Sequence, residues 1–196
     1  MKNLKLYLVI IACLFCSSMY SQSNTISKQE GHWSTIFSMG YGFLKGSGNP
    51  WALEFSAGGN YFFKDNIYAG ARIGYLGASS FYCDRYTQIK SKNHLITVPL
   101  ELGYAFFPEN KKWGIVPFIG AGINIGIKGK TEVKDYDNVN HKIGGKIGLD
   151  GRIGIRAIIS EFVISASYHS PLNSKQEQFL GEHAYPEVSI GWWIDR

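Results

Sequence analysis

The 196-residue chain carries 20 Lys and Arg against 15 Asp and Glu, a net charge of +5, with 45 % hydrophobic residues, 15 % aromatic residues and 23 glycines. So mild a basic excess, with no basic cluster along the chain, excludes a nucleic-acid footprint. Abundant glycine and aromatics, only 6 prolines and no helical period beyond the N-terminus mark an all-β chain.

The N-terminus has Lys2 and Lys5, an apolar run from Leu6 to Phe15, then Ser17, Ser18 and Ser21. That is a secretory signal pattern, too short to span a bilayer as a mature helix. Cleavage is expected near Ser21 or Gln22, so residues 1–22 are read as signal peptide and 23–196 as one domain. Ile10-Ile11-Ala12-Cys13 also loosely fits a lipoprotein processing site, although the apolar run before Cys13 is very short for one. The chain is exported on either reading. Cleavage removes two basic residues and no acid, leaving 18 against 15 and a net charge of +3. Cys13 and Cys16 leave as well. Cys83, then alone, supports neither a disulfide framework nor a thiolate metal set.

Eight segments follow with a two-residue period, apolar on one face and polar or glycine on the other. Residues 33–43 place Trp33, Thr35, Phe37, Met39, Tyr41 and Phe43 opposite Ser34, Ser38, Gly40 and Gly42. Residues 51–63 oppose Trp51, Leu53, Phe55, Tyr61 and Phe63 to Glu54, Ser56, Gly58 and Asn60. Residues 67–77 oppose Ile67, Ala69, Ala71, Ile73 and Tyr75 to Gly70, Arg72 and Gly74. Residues 95–107 oppose Ile96, Val98, Leu100, Leu102, Tyr104 and Phe106 to Thr97, Pro99, Glu101 and Gly103, with a bulge expected at Pro99 because proline removes a ladder donor. Residues 115–127 oppose Ile119, Ala121, Ile123 and Ile125 to Gly120, Gly122, Asn124 and Gly126. Residues 143–157 oppose Ile147, Leu149, Ile153 and Ile155 to Lys146, Asp150, Arg152 and Arg156. Residues 162–168 oppose Phe162, Ile164, Ala166 and Tyr168 to Ser165, Ser167 and the following His169, and residues 187–194 oppose Val188, Ile190, Trp192 and Ile194 to Ser189 and Gly191.

The connections alternate in length. Residues 64–66, 108–113 and 160–161 are tight, whereas 78–94, 128–142 and 169–184 are read as long polar loops. Sorting of short turns to one end and long loops to the other is the habit of outer-membrane barrels. Aromatics gather near both ends: Tyr61, Phe63, Tyr104, Phe106, Phe162, Trp192 and Trp193 by the short turns or C-terminus, Phe43, Trp51, Tyr75 and Tyr168 by the long loops. Two girdles at the headgroup level account for them. The expected fold is therefore all-β, an eight-stranded antiparallel up-and-down transmembrane β-barrel, with aliphatics on lipid and charges inside. The expected location is the outer membrane of a Gram-negative cell.

Two stretches carry a resemblance. The run Asn93 to Tyr104, containing Ile96-Thr97-Val98-Pro99-Leu100-Glu101-Leu102, resembles the fourth-strand "IPLLLKY" signature of the PorT-like outer-membrane β-barrel family. Val116-Pro117-Phe118-Ile119-Gly120-Ala121-Gly122 resembles its following "PYIGAG" strand, and the glycine-rich sixth strand also fits, so the likeness covers most of residues 31–196. It implies a small outer-membrane barrel; members of that family include a gliding and type IX secretion accessory protein. The chain ends Trp192-Trp193-Ile194-Asp195-Arg196 rather than on the terminal Phe common in outer-membrane barrels. An aromatic near the end is expected to serve the insertion machinery instead.

An eight-stranded barrel is narrow enough for side chains to fill it, and buried charges must be paired. Glu54, Arg72, Glu101, Lys146, Asp150, Arg152 and Arg156 are therefore expected to form an internal polar network, Arg72 with Glu101 across adjacent strands and Arg152 near Asp150. This structural plug is favoured over an ion-conducting path. His141, His169 and His183, with Asp135 and Asp137 nearby, match no standard zinc spacing. For a barrel enzyme that edits lipid acyl chains, which needs a Ser/His pair at the lipid boundary, His169 with Ser167 or Ser170 is the local candidate, and loop hydrogen bonding is the simpler reading. Gly40-Tyr41-Gly42 and Gly120-Ala121-Gly122 precede no helix, which excludes a phosphate-binding loop. No catalytic residue, cofactor or metal is assigned. The mixed-charge run Lys128 to Asp137 reads as a solvated extracellular loop that partners would meet first. Expected partners are outer-membrane lipid, the barrel-insertion machinery and a secretion complex or extracellular ligand at the long loops. The alternative is a soluble secreted lipocalin-like ligand-binding barrel, for which Gly31-His32-Trp33 supplies a weak Gly-x-Trp motif.

Overall fold

The computed structural model describes residues 31–45, 50–64, 66–83, 88–108, 112–134, 139–142, 145–180 and 184–195. The signal peptide, Cys13, Asp135, Asp137 and His183 lie outside them. Among the described residues nine strands form: β1 His32–Phe43, β2 Trp51–Lys64, β3 Ile67–Cys83, β4 Gln88–Tyr104, β5 Trp113–Lys134, β6 Val139–Lys142, β7 Ile147–Ile159, β8 Phe162–Pro171 and β9 Tyr185–Asp195. One helix among them, α1, spans Ser174–Leu180.

Eight of the strands close on themselves. The order β4-β3-β2-β1-β9-β8-β7-β5 is sealed by pairing of β4 with β5, every ladder antiparallel, and β6 adds a short strand beside the far end of β5. Closure gives each barrel strand two partners and removes the open edge that a flat sheet would present. The short turns sit together at one end. Asn66 (φ 70°) and Ser160 (φ 58°) take the left-handed conformation there, which Asn adopts readily and which lets the chain reverse in two or three residues.

Alternation decides what faces inward. In β7, Ile147, Leu149, Ile153 and Ile155 stand exposed, whereas Gly148, Asp150, Arg152 and Arg156 are buried. The same holds around the wall: Ile73, Ile119 and Ile153 are 64, 61 and 59 % exposed while Arg72, Arg152 and Arg156 are at most 8 % exposed. Trp33 also points outward, whereas a lipocalin-like barrel would keep its apolar side chains inside.

Four expectations need correction. Residues 78–83, 88–94 and 128–134 are strand rather than loop: β3 and β4 reach 17 residues each and β5 reaches 22, against the ~9–11 that suffice to cross a membrane. Their polar residues show no apolar period, yet continuous pairing from Cys83↔Gln88 and Gln88↔Lys134 satisfies their backbone. A helix does form, capped by the Asn173 side chain, whose Oδ1 accepts from the Gln176 N–H at 2.9 Å; seven residues are too few to register as a helical period. No bulge forms at Pro99. The register runs unshifted from Ala71↔Leu100 to Gly74↔Thr97, with the ladder interrupted opposite Val98 and Pro99, and the shift falls instead at His94/Leu95 on β4. Finally, Trp193 faces the interior, 2 % exposed, because its parity is opposite to that of Trp192.

Candidate functional site in the barrel lumen

The interior is layered. At the short-turn end an apolar cluster contains Ile36, Phe62, Tyr68, Phe107, Val116, Ile158, Val163 and Trp193. Tyr68 and Trp193 meet edge to face at 5.8 Å. At the loop end a second cluster contains Leu44, Ala52, Leu76, Leu95 and Tyr185 together with Phe179 and Leu180 of α1. The Asn93 side chain ties the helix in place, donating to the Phe179 carbonyl at 2.7 Å.

Between these clusters lie the charges. Glu101 on β4 is held by two guanidiniums, Arg72 of β3 on Oε1 and Arg156 of β7 on Oε2. Arg156 also donates to the Tyr68 hydroxyl at 2.8 Å and lies 4.0 Å over the Phe118 ring, a cation–π contact. Nearer the loops, Arg152 bridges Asp150 at 2.8 Å and Glu54 at 3.1 Å and donates to Thr97 at 3.2 Å. Asp150 accepts further bonds from Asn124 at 2.7 Å and from His169 Nδ1 at 3.1 Å. Asn124 reaches Gln176 of α1 at 3.0 Å, so the network runs into the helix. His169 stacks on Tyr185 at 4.9 Å and lies 3.8 Å from Glu187.

Three guanidiniums thus face four carboxylates, Glu54, Glu101, Asp150 and Glu187, with His169 between two of them. Glu54, Glu101 and Asp150 are buried and each pairs with a guanidinium, the condition on which buried ions are tolerated, whereas Glu187 has, among the described residues, only the His169 ring at 3.8 Å. Small residues make the room. A Cβ on Gly58 would stand 2.5 Å from the Arg72 Cα, and one on Gly122 would stand 2.8 Å from the Arg152 guanidinium. Bulkier residues there would push the arginines out of their pairs.

Six of the seven residues read from the sequence as an internal network lie inside: Glu54, Arg72, Glu101, Asp150, Arg152 and Arg156. Lys146 is not among the buried charges: it precedes the first residue of β7 and is half-exposed. Glu187, Asn124, Gln176 and Tyr68 also take part. For Glu187 the signal was its parity with Ser189 and Gly191; for Gln176 there was none short of the helix itself.

His169 is a strand residue of β8 pointing inward, not a loop residue, and Ser170 points the other way. Ser167 Oγ lies 3.0 Å from His169 Nε2, with Asp150 on the far nitrogen. This connectivity is that of a nucleophile triad, but the setting does not fit one. The space lined by Ser167, His169, Arg72 and Arg156 is about 10 Å³, no more than a water's worth. Backbone N–H groups of β8 are spent in the ladders with β7 and β9, which leaves none for an oxyanion. Among the described residues no group of three or more His, Cys, Asp or Glu is placed to hold a metal.

No family model matches the chain, and no curated protein matches it. Among solved structures it is similar to the N-terminal β-barrel domain of Pseudomonas aeruginosa OprF, with 11 % identity, 85 % of this chain and 98 % of that one covered, and a TM-score of 0.46. Ail, the attachment invasion locus protein of Yersinia pestis, matches with 15 % identity, 85 % and 99 % coverage and a TM-score of 0.42. A de novo designed transmembrane β-barrel matches with 13 % identity, 87 % and 100 % coverage and a TM-score of 0.43.

Proposed function

We propose that the chain is an integral outer-membrane barrel whose interior is a structural plug, with a role in surface interaction or as a secretion accessory. The observation that carries this reading is the inversion of the wall, with exposed aliphatics outside and paired arginines and carboxylates inside. In water the outer surface would be a continuous apolar belt far larger than soluble proteins expose; in lipid it is the required surface. The aromatic rings Tyr61, Phe63, Tyr104, Phe106 and Trp113 near the short turns and Phe43, Tyr75 and Tyr168 near the loops, all exposed, suit the two interfaces. The lumen, closed by apolar clusters at both ends and by ion pairs between them, supports a plug over a pore. The likeness of Asn93 to Tyr104 and of Val116 to Gly122 to the PorT-like strands favours the secretion-accessory role. Outer-membrane lipid and the insertion machinery are its necessary partners, and the projecting ends of β3, β4 and β5 would meet a secretion complex or extracellular ligand first.

Cell fractionation followed by gel electrophoresis with and without boiling tests the location. A sarkosyl-insoluble species whose mobility shifts on heating is expected; a soluble periplasmic or secreted monomer would overturn the membrane reading. Planar-bilayer recording tests the plug, for which conductance of porin size is the contrary result. Deletion of the protein with an assay of secreted cargo tests the accessory role.

A further inference from the structure

The outer wall changes character at one height on two neighbouring strands. Toward the loop end β4 presents Leu102, Leu100 and Ile96 outward, then His94, Lys92 and Lys90. Beside it β5 presents Ile119, Ile125 and Ile127, then Lys128, Lys130 and Glu132. The register sets His94 against Lys128, Lys92 against Lys130 and Lys90 against Glu132. The shift at His94/Leu95 is what lets Ile127 and Lys128 both face out, so apolar wall gives way to basic wall within one residue. Tyr75, an exposed ring one strand over, bonds through its hydroxyl to His94 Nδ1 at this same boundary, as an interfacial aromatic does.

Four lysines, Lys90, Lys92, Lys128 and Lys130, are exposed on this face. Its one acid among the described residues is Glu132, which ion-pairs with Lys130 at 2.8 Å. At about 3.3 Å per residue and a tilt near 45°, Lys92 and Lys90 stand roughly 9 and 14 Å above the apolar edge at Ile96, at headgroup level. Their flexible stems reach back toward that edge.

We propose that the β4–β5 face binds the phosphate-bearing glycolipid of the outer leaflet, the four lysines taking its phosphates and the apolar wall at Ile96, Ile125 and Ile127 directly beneath them taking its acyl chains. The inference rests on the reading of the chain as an outer-membrane barrel. A soluble polyanion would use the lysines alone; a lipid uses the lysines and the apolar wall at Ile96, Ile125 and Ile127, which adjoin on the same two strands.

The test uses the full mature chain refolded into phosphatidylcholine vesicles doped with bisphosphorylated lipid A, with dephosphorylated lipid A as the paired probe. After gentle extraction, the lipid A retained per barrel is measured by native mass spectrometry. Bisphosphorylated lipid A is expected to be retained at least tenfold over the dephosphorylated form. Lys90→Gln/Lys92→Gln/Lys128→Gln should lose that preference, and the matching Lys→Arg triple should keep it. Heat-shifted gel mobility of every variant reports insertion separately. A wild type that fails to insert defeats the membrane reading itself, whereas one that inserts but retains both lipids equally overturns this proposal. So does a wild type whose lysines bind soluble heparin while lipid A retention is unchanged by the Gln triple.

Discussion

Arg156 on β7 pairs with Glu101 on β4 across the full width of β5, the strand between them. The link therefore spans next-nearest neighbours in the wall, and with Arg72 on the opposite oxygen it makes Glu101 the centre of three strands. Removing one partner of a buried pair leaves the other charge stranded. Glu101→Gln strands two guanidiniums at once and is expected to cost about 3–5 kcal/mol of barrel stability. Urea unfolding in lipid vesicles, followed by Trp emission, gives the midpoint shift. Glu101→Leu combined with Arg72→Met and Arg156→Met should lose less than Glu101→Gln alone.

Gly122 is the second weak point of the interior. A valine there meets the Asp150 and Arg152 side chains, and overpacking of this kind is expected to destabilise by about 1–3 kcal/mol. The same change at Gly77, whose added Cβ would first meet the Tyr75 ring at 3.4 Å, should be much milder. The comparison of the two unfolding midpoints isolates lumen crowding from loss of glycine as such.

Ile119, 61 % exposed, stands in the middle of the apolar wall. Lysine in its place should cost about 2–4 kcal/mol in bilayers, the range for a cation at mid-membrane depth. Lysine at Ser79, at the level of Lys92 on the neighbouring strand, should cost nearly nothing. A barrel that tolerated both equally in vesicles would not be lipid-facing at Ile119.

The Ser167–His169–Asp150 chain is predicted to be structural. Neither the wild type nor Ser167→Ala should release p-nitrophenol from short or long acyl esters above the lipid blank. His169→Ala, by contrast, should lower stability by about 1–3 kcal/mol, because it takes one hydrogen bond from buried Asp150 and the stacking partner from Tyr185. Ester turnover that vanished in Ser167→Ala would reverse this assignment.

Opening the loop end probes the plug. Phe179 is fully buried at the top of the lumen, yet Phe179→Ala should leave single-channel conductance at baseline, since the Arg152 and Arg156 clusters lie beneath it. Steps of porin size in that variant would place the seal in α1 rather than in the ion pairs.

Much of this was legible before any fold was known. The side on which Glu54, Arg72, Glu101, Asp150, Arg152 and Arg156 lie follows from the two-residue period, a property of extended backbone at each residue. The short turns at 64–66 and 160–161 were visible in the same way, because they interrupt that period. Residues 78–83, 88–94 and 128–134 misled because polar strands that project past the wall carry no apolar alternation, and α1 was missed because its buried side chains among the described residues are Gln176, Phe179 and Leu180.

What the sequence alone determined, then, is the face of each wall side chain and the short turns of the chain. Which charges meet was decided by closure. The pairing of Arg156 with Glu101, 55 residues apart, depends on the stagger of β4, β5 and β7. Likewise Lys90 and Lys92 join Lys128 and Lys130 in one basic face only because β4 and β5 pair in that register. Along the chain these lysines form no cluster, and no local rule could have brought them together. Parity is fixed residue by residue, whereas register is fixed only when the wall closes on itself.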